Sequence, residues 1–124
     1  MSGKTILYVE DNELNRRLVR DLLKRTTYKL IEAYDGEAGI TTALAERPDL
    51  ILMDIQLPKI SGLDVVRRLR AEAVTAATPI VALTSFALSG DDQKAKDAGA
   101  TAYLAKPYSP LALLDLIRKL LPEA

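Results

Sequence analysis

Four apolar runs in this chain of 124 residues end on polar groups suited to phosphate chemistry. Ile6-Leu7-Tyr8-Val9 leads into Glu10-Asp11, and Leu50-Ile51-Leu52-Met53 leads into Asp54. Pro79-Ile80-Val81-Ala82-Leu83 leads into Thr84, and Ala102-Tyr103-Leu104-Ala105 into Lys106-Pro107. If the runs are parallel buried strands, their C-terminal ends lie along one edge, where open α/β sheets bind ligands. Three carboxylates, a hydroxyl and an ammonium then converge on one pocket. The carboxylates repel by about 4 kcal/mol per pair at ~4 Å with an effective dielectric near 20. A divalent cation relieves that repulsion, and all-oxygen donors suit Mg²⁺ better than zinc or copper. Asp54 as nucleophile, a metal ion, Lys106 and the Thr84 hydroxyl together describe a phosphoryl-transfer site.

Each group also has a plainer explanation. Glu10-Asp11 can simply lead into a helix, whose N-terminus favours acidic residues. Lys106 can be no more than a salt-bridge partner for Asp54, and Thr84 a β-branched strand filler with small Ser85 beside it. Asp54 resists such a reading, because a carboxylate after four large apolar residues is costly to bury unless it is paired or used.

The elements that must position these groups are legible as alternating short apolar runs and longer amphipathic stretches. Strands are expected near 5–10, 28–33, 50–54, 79–84 and 102–106. Leu14, Leu18, Leu22 and Leu23 are expected to line the buried face of a first helix, with Asn12 as its N-cap and Arg16, Arg17, Arg20 and Lys24 elsewhere. A second helix follows Asp35-Gly36. A third begins near Ser61-Gly62, with Leu63, Val66 and Leu69 toward the sheet. Ser89 can cap a fourth, which offers mainly Ala95 and Ala98 to the core, and Ser109-Pro110 starts a fifth. Right-handed βαβ crossovers that cover both faces give an α/β doubly wound, five-stranded parallel sheet in the order 2-1-3-4-5, with the strand at 28–33 on an edge. Residues 1–124 are expected to form one domain.

Composition narrows the chemistry. With no Cys and no His, thiolate and imidazole ligands, nucleophiles and bases are excluded. Seventeen Lys and Arg balance seventeen Asp and Glu, so no net field draws nucleic acid or an anionic membrane. The start Met-Ser-Gly-Lys carries no signal-peptide pattern, and no apolar run nears spanning length, so a cytoplasmic protein is expected. No Gly-x-x-x-x-Gly-Lys loop is present, so a nucleotide donor is not expected.

The chain resembles, over its whole length, the response-regulator receiver domains of two-component signalling. The resemblance rests on Val9-Glu10-Asp11-Asn12, on Leu52-Met53-Asp54-Ile55-Gln56-Leu57-Pro58 followed by Ser61-Gly62, on Leu83-Thr84-Ser85, and on Tyr103-Leu104-Ala105-Lys106-Pro107. The wording around the first and third strands is most similar to stand-alone DivK-type receivers and to receivers of hybrid kinases. The resemblance implies a flavodoxin-like (βα)5 fold, no output domain, and a self-catalysed role in place of an enzyme's turnover. It implies that Asp54 accepts a phosphoryl group from a phosphohistidine on a sensor histidine kinase or histidine phosphotransfer protein. Asp11 then ligates Mg²⁺, Glu10 acts through a metal-bound water, Gln56 supplies its backbone carbonyl and Lys106 pairs with the phosphoryl oxygens. Thr84 and Tyr103 match the family's switch pair. One departure is the first acidic position, Glu10, where many relatives carry Asp.

By position, Asn15, Arg16 and Leu18 on the first helix, with Pro107 and Tyr108 after the fifth strand, are expected to meet the donor. A downstream protein would read the fourth helix, fifth strand and fifth helix of a monomer or weak dimer. The rival readings are a Mg²⁺-dependent phosphatase of the haloacid-dehalogenase class, which needs a second Asp where Gln56 stands, and a flavodoxin-like cofactor binder. The acidic loop at 10–13 is unsuited to a phosphate-bearing flavin.

Overall fold

The computed structural model describes residues 3–84, 91–105 and 108–123, with the backbone alone at residues 91 and 92. Five βα units follow one another: β1 (Thr5–Val9), α1 (Glu13–Leu23), β2 (Lys29–Ala33), α2 (Gly36–Glu46), β3 (Leu50–Asp54), α3 (Gly62–Ala71), β4 (Ile80–Thr84), α4 (Asp91–Ala98), β5 (Ala102–Ala105) and α5 (Pro110–Leu120). All strand pairs are parallel and the order is β2-β1-β3-β4-β5, as the crossover rule requires. Each strand end agrees with its expected position to within a residue, except that Lys106 lies outside the described residues.

The runs are continuously apolar because alternate residues serve opposite faces, and both faces are covered. Ile6, Tyr8, Leu50, Leu52, Val81 and Leu83 pack with α1 and α5. Leu7, Val9, Ile51, Met53 and Ile80 pack with α2 and α3. β2, on the edge, is buried at Ala33 but exposed at Lys29. Among the described residues no helix is long and apolar enough to cross a membrane.

Helix starts follow their capping side chains. Asn12, Asp35, Ser61 and Ser109 accept the backbone N–H groups of Asn15, Ala38, Leu63 and Ala112 at 3.0, 2.8, 3.1 and 3.0 Å. Pro110 occupies the first turn of α5, where its missing N–H is no loss. The Ser89 cap expected for α4 lies outside the described residues, whereas Ala95 and Ala98 are buried as expected. In α3, Val65 joins Val66 and Leu69 inside, and Leu63 is only half-buried.

The face of α1 is a correction. The buried residues are Arg16, Val19 and Leu23, while Leu14 and Leu18 are 61% and 59% exposed and Leu22 is only partly buried. The cause is polar: the Arg16 guanidinium, 7% exposed, donates from Nη1 to the Glu10 carbonyl at 2.8 Å and from Nη2 to Glu13 at 2.6 Å. It also lies 3.5 Å from Glu32 and stacks 4.1 Å from the Tyr34 ring centre. With position 16 drawn inward, residues 14 and 18 turn about the helix axis toward solvent.

Candidate functional site

The strand ends deliver the acidic groups to one point. β1 stops at Val9 and β3 runs beside it in a register that pairs Val9 with Met53, so Glu10-Asp11 and Asp54 emerge from neighbouring strands. One carboxylate oxygen from each of Glu10, Asp11 and Asp54 lies within 4.8 Å of the other two. Glu10 and Asp54 are buried, and Asp11 is exposed. The trio is all oxygen, and the chain has no His or Cys to add a softer donor, so it fits a hard divalent cation.

Glu10 is tied down at every polar group. Its N–H donates to the Ala33 carbonyl at 3.0 Å, and its carbonyl accepts from Arg16. Its Oε1 accepts from the Tyr8 hydroxyl at 3.0 Å and from Asn15 Nδ2 at 3.4 Å, and its Oε2 from the Asn12 N–H at 3.3 Å. Asp54 Oδ1 accepts the Gln56 N–H at 2.9 Å, which turns the chain sharply after β3. Gln56 itself is exposed, and its position is where a phosphatase of the rival class would need an acid.

Thr84 ends β4, next to β3, and is buried. Tyr103 is half-buried on β5, paired with Ala82. Lys106, Ser85 and Pro107 lie outside the described residues.

The expected contact residues divide. Asn15, Leu18 and Tyr108 line an apolar groove of about 320 Å³ between α1 and α5, with Val19 and Leu22 along its wall. Arg16, expected on the surface, is instead buried under the site and cannot meet a partner without breaking its bonds to Glu10 and Glu13. Tyr8 was not among the candidate residues. Its signal is spacing: Tyr8 and Glu10, two apart on an extended chain, share a face.

Comparison with known proteins points one way. The family model described as response regulator receiver domain matches residues 6–118. The chain is 40% identical over 121 residues to the polar-differentiation response regulator DivK of Brucella anthropi, covering 98% of each sequence, and equally to DivK of Brucella melitensis. Among solved structures it is similar to chemotaxis response regulator CheY4 of Vibrio cholerae, 30% identical, with a TM-score of 0.89 over 95% of this chain and 98% of that one. It is also similar to the receiver domain of sensor histidine kinase PA1611 from Pseudomonas aeruginosa, solved with a magnesium ion coordinated in the active site cleft. That match is 36% identical, with a TM-score of 0.88 over 95% of this chain and 97% of that one. The haloacid-dehalogenase alternative finds no support in these likenesses.

Proposed function

We propose a function for this chain from its family: it belongs to the response regulator receiver domains of two-component signalling. Receiver domains take phosphoryl groups from histidine kinases and act on downstream targets. In this chain the acceptor is Asp54. One of its carboxylate oxygens bonds to phosphorus as the N–P bond of a donor phosphohistidine breaks, and the imidazole leaves with the electron pair. The observation that carries this reading is the convergence of Glu10, Asp11 and Asp54 at the ends of adjacent parallel strands.

Glu10, Asp11, Asp54 and the Gln56 carbonyl would hold Mg²⁺, which supplies positive charge to the phosphoryl oxygens when bound. The chain's own residues do the rest. The Gln56 N–H holds one oxygen of Asp54, orienting the carboxylate. Thr84, at the end of the next strand, closes its hydroxyl on the phosphoryl group, and the Tyr103 ring follows inward. Lys106 pairs with the phosphoryl oxygens. The face formed by α4, β5 and α5 changes with that movement, and a protein reads it in the cytoplasm. Residues 1–124 act as one receiver unit without turnover of an independent substrate. Acetyl phosphate with Mg²⁺ should add a single phosphoryl group, seen by intact mass, and excess chelator should abolish the adduct. Full labelling in chelator would overturn the metal-dependent mechanism.

The donor is expected to dock on the groove between α1 and α5. Leu18 projects into solvent there, and Val19, Leu22 and Leu113 line it, so the groove is apolar, and its Asn15 contacts Glu10 of the acidic trio. A donor helix with an apolar face fits such a groove. Leu18→Asp should slow transfer from the phosphohistidine donor by about tenfold or more, as loss of an interface anchor does. Labelling by acetyl phosphate should not change. Equal slowing with both donors would place Leu18 in the chemistry or the fold, and remove it from docking.

A further inference from the structure

Tyr8 lies on β1 with no exposed surface, on the sheet face packed against α1 and α5. A tyrosine in such a place must find a partner for its hydroxyl. That partner is a carboxylate of the acidic trio, Glu10, at 3.0 Å. Tyr108, which lines the α1–α5 groove, packs against the same core cluster as Tyr8. Asn15, on the same groove, reaches Glu10 Oε1 from the other side at 3.4 Å.

A carboxylate set back from the protein surface is thus held by two side chains, Tyr8 and Asn15. We infer that Tyr8 is a positioning residue of the metal site: its hydroxyl fixes the orientation of Glu10. The inference rests on the reading of Glu10, Asp11 and Asp54 as a divalent-cation site. Loss of a group that orients a metal ligand typically costs about 10- to 100-fold in metal affinity, because an unheld ligand must be ordered when the ion arrives.

The plainer alternative is a core tyrosine whose hydroxyl merely found an acceptor. In that case its loss changes stability and leaves the ion's affinity alone. Calorimetric titration with Mg²⁺ alone, well below the melting temperature, separates the two. Tyr8→Phe keeps the ring in the core and should weaken Mg²⁺ binding about tenfold, at the low end of the range for groups that orient metal ligands. Unchanged or tighter Mg²⁺ binding by Tyr8→Phe, whatever its melting temperature, overturns the inference. Failure of the unaltered protein to bind Mg²⁺ overturns the metal reading and the inference together, whereas binding that ignores Tyr8 overturns the inference alone.

Discussion

Asp54→Asn should carry no phosphoryl adduct after incubation with acetyl phosphate and Mg²⁺, and should at the same time melt higher than the unaltered protein in chelator. The loss follows from chemistry: an amide oxygen is not a nucleophile toward phosphorus at neutral pH, whereas a carboxylate in place can be. Neither neighbouring carboxylate is a ready substitute. Glu10 accepts hydrogen bonds on both oxygens, and Asp11 is exposed on the loop after β1, whereas Asp54 alone is oriented by the Gln56 N–H. The amide keeps the carboxylate's shape, and its oxygen can still accept the Gln56 N–H, so the fold has no reason to shift.

The gain in stability follows from the same cluster. Three carboxylates whose oxygens lie within 4.8 Å repel one another, and replacing Asp54 removes two of the three pairs. The full Coulomb figure of about 4 kcal/mol per pair is an upper value, since water and salt reach exposed Asp11. A net gain of about 1 to 2 kcal/mol in chelator is expected, or several degrees in melting temperature. Saturating Mg²⁺ should then raise the melting temperature of the unaltered protein through mass action, but barely that of Asp54→Asn. Thermal melts of both proteins in chelator and in Mg²⁺, alongside intact mass, test both arms. Labelling of the Asn protein at the normal level, or a lower melting temperature in chelator, would count against Asp54 as the acceptor inside a repelling cluster.

The strands were legible because a parallel strand covered on both faces reads as an unbroken apolar run, and Leu50 to Met53 is the clearest case. The caps were legible because Asn12 and Ser109 each act within one turn of their own position, a distance that sequence displays directly. The face of α1 was not. Counting leucines assumes that the apolar stripe is the buried one, and here Leu18 and Leu22 border a groove and Leu14 is exposed, while an arginine points inward. What reverses the choice is a long-range contact: Arg16 also approaches Glu32 on β2, sixteen positions away. Likewise the acidic trio could be expected from strand ends alone, but the Tyr8 hydroxyl was hidden in a run whose apolar character explained it well enough. Gly62 shows the same limit. Its sequence context marks a helix start, yet nothing in sequence reveals how near that start comes to Asp54.

Gly62→Ala should therefore damage both the fold and the site. A Cβ at position 62 would stand 2.2 Å from the Asp54 carbonyl oxygen and 2.4 Å from Ile55 Cα, both backbone atoms that no rotamer change can move aside. The closeness has a purpose in the fold, since the Gly62 N–H donates to the Ile55 carbonyl at 3.2 Å and so fastens α3 to the turn after β3. Relief requires α3 to lift, but Val65, Val66 and Leu69 bury its face against the sheet. Alternatively the end of β3 must move, and Ile55 is itself fastened to the Leu83 carbonyl at 2.9 Å. Either way the strain is expected at about 3 kcal/mol or more, the upper part of the range for overpacking. Against a total stability of about 5 to 15 kcal/mol, that is roughly 10 °C in melting temperature. A shift of about 1 Å in Asp54 also lowers the rate of a positioned reaction by about a hundredfold, so residual labelling by acetyl phosphate should be slow even in the fraction that folds. Labelling rates taken at a temperature where circular dichroism shows the variant fully folded separate misplacement from unfolding. Normal rates there, together with a melting temperature within a few degrees of the unaltered protein, would mean that α3 yields easily and that its contact with β3 does not hold Asp54 in place.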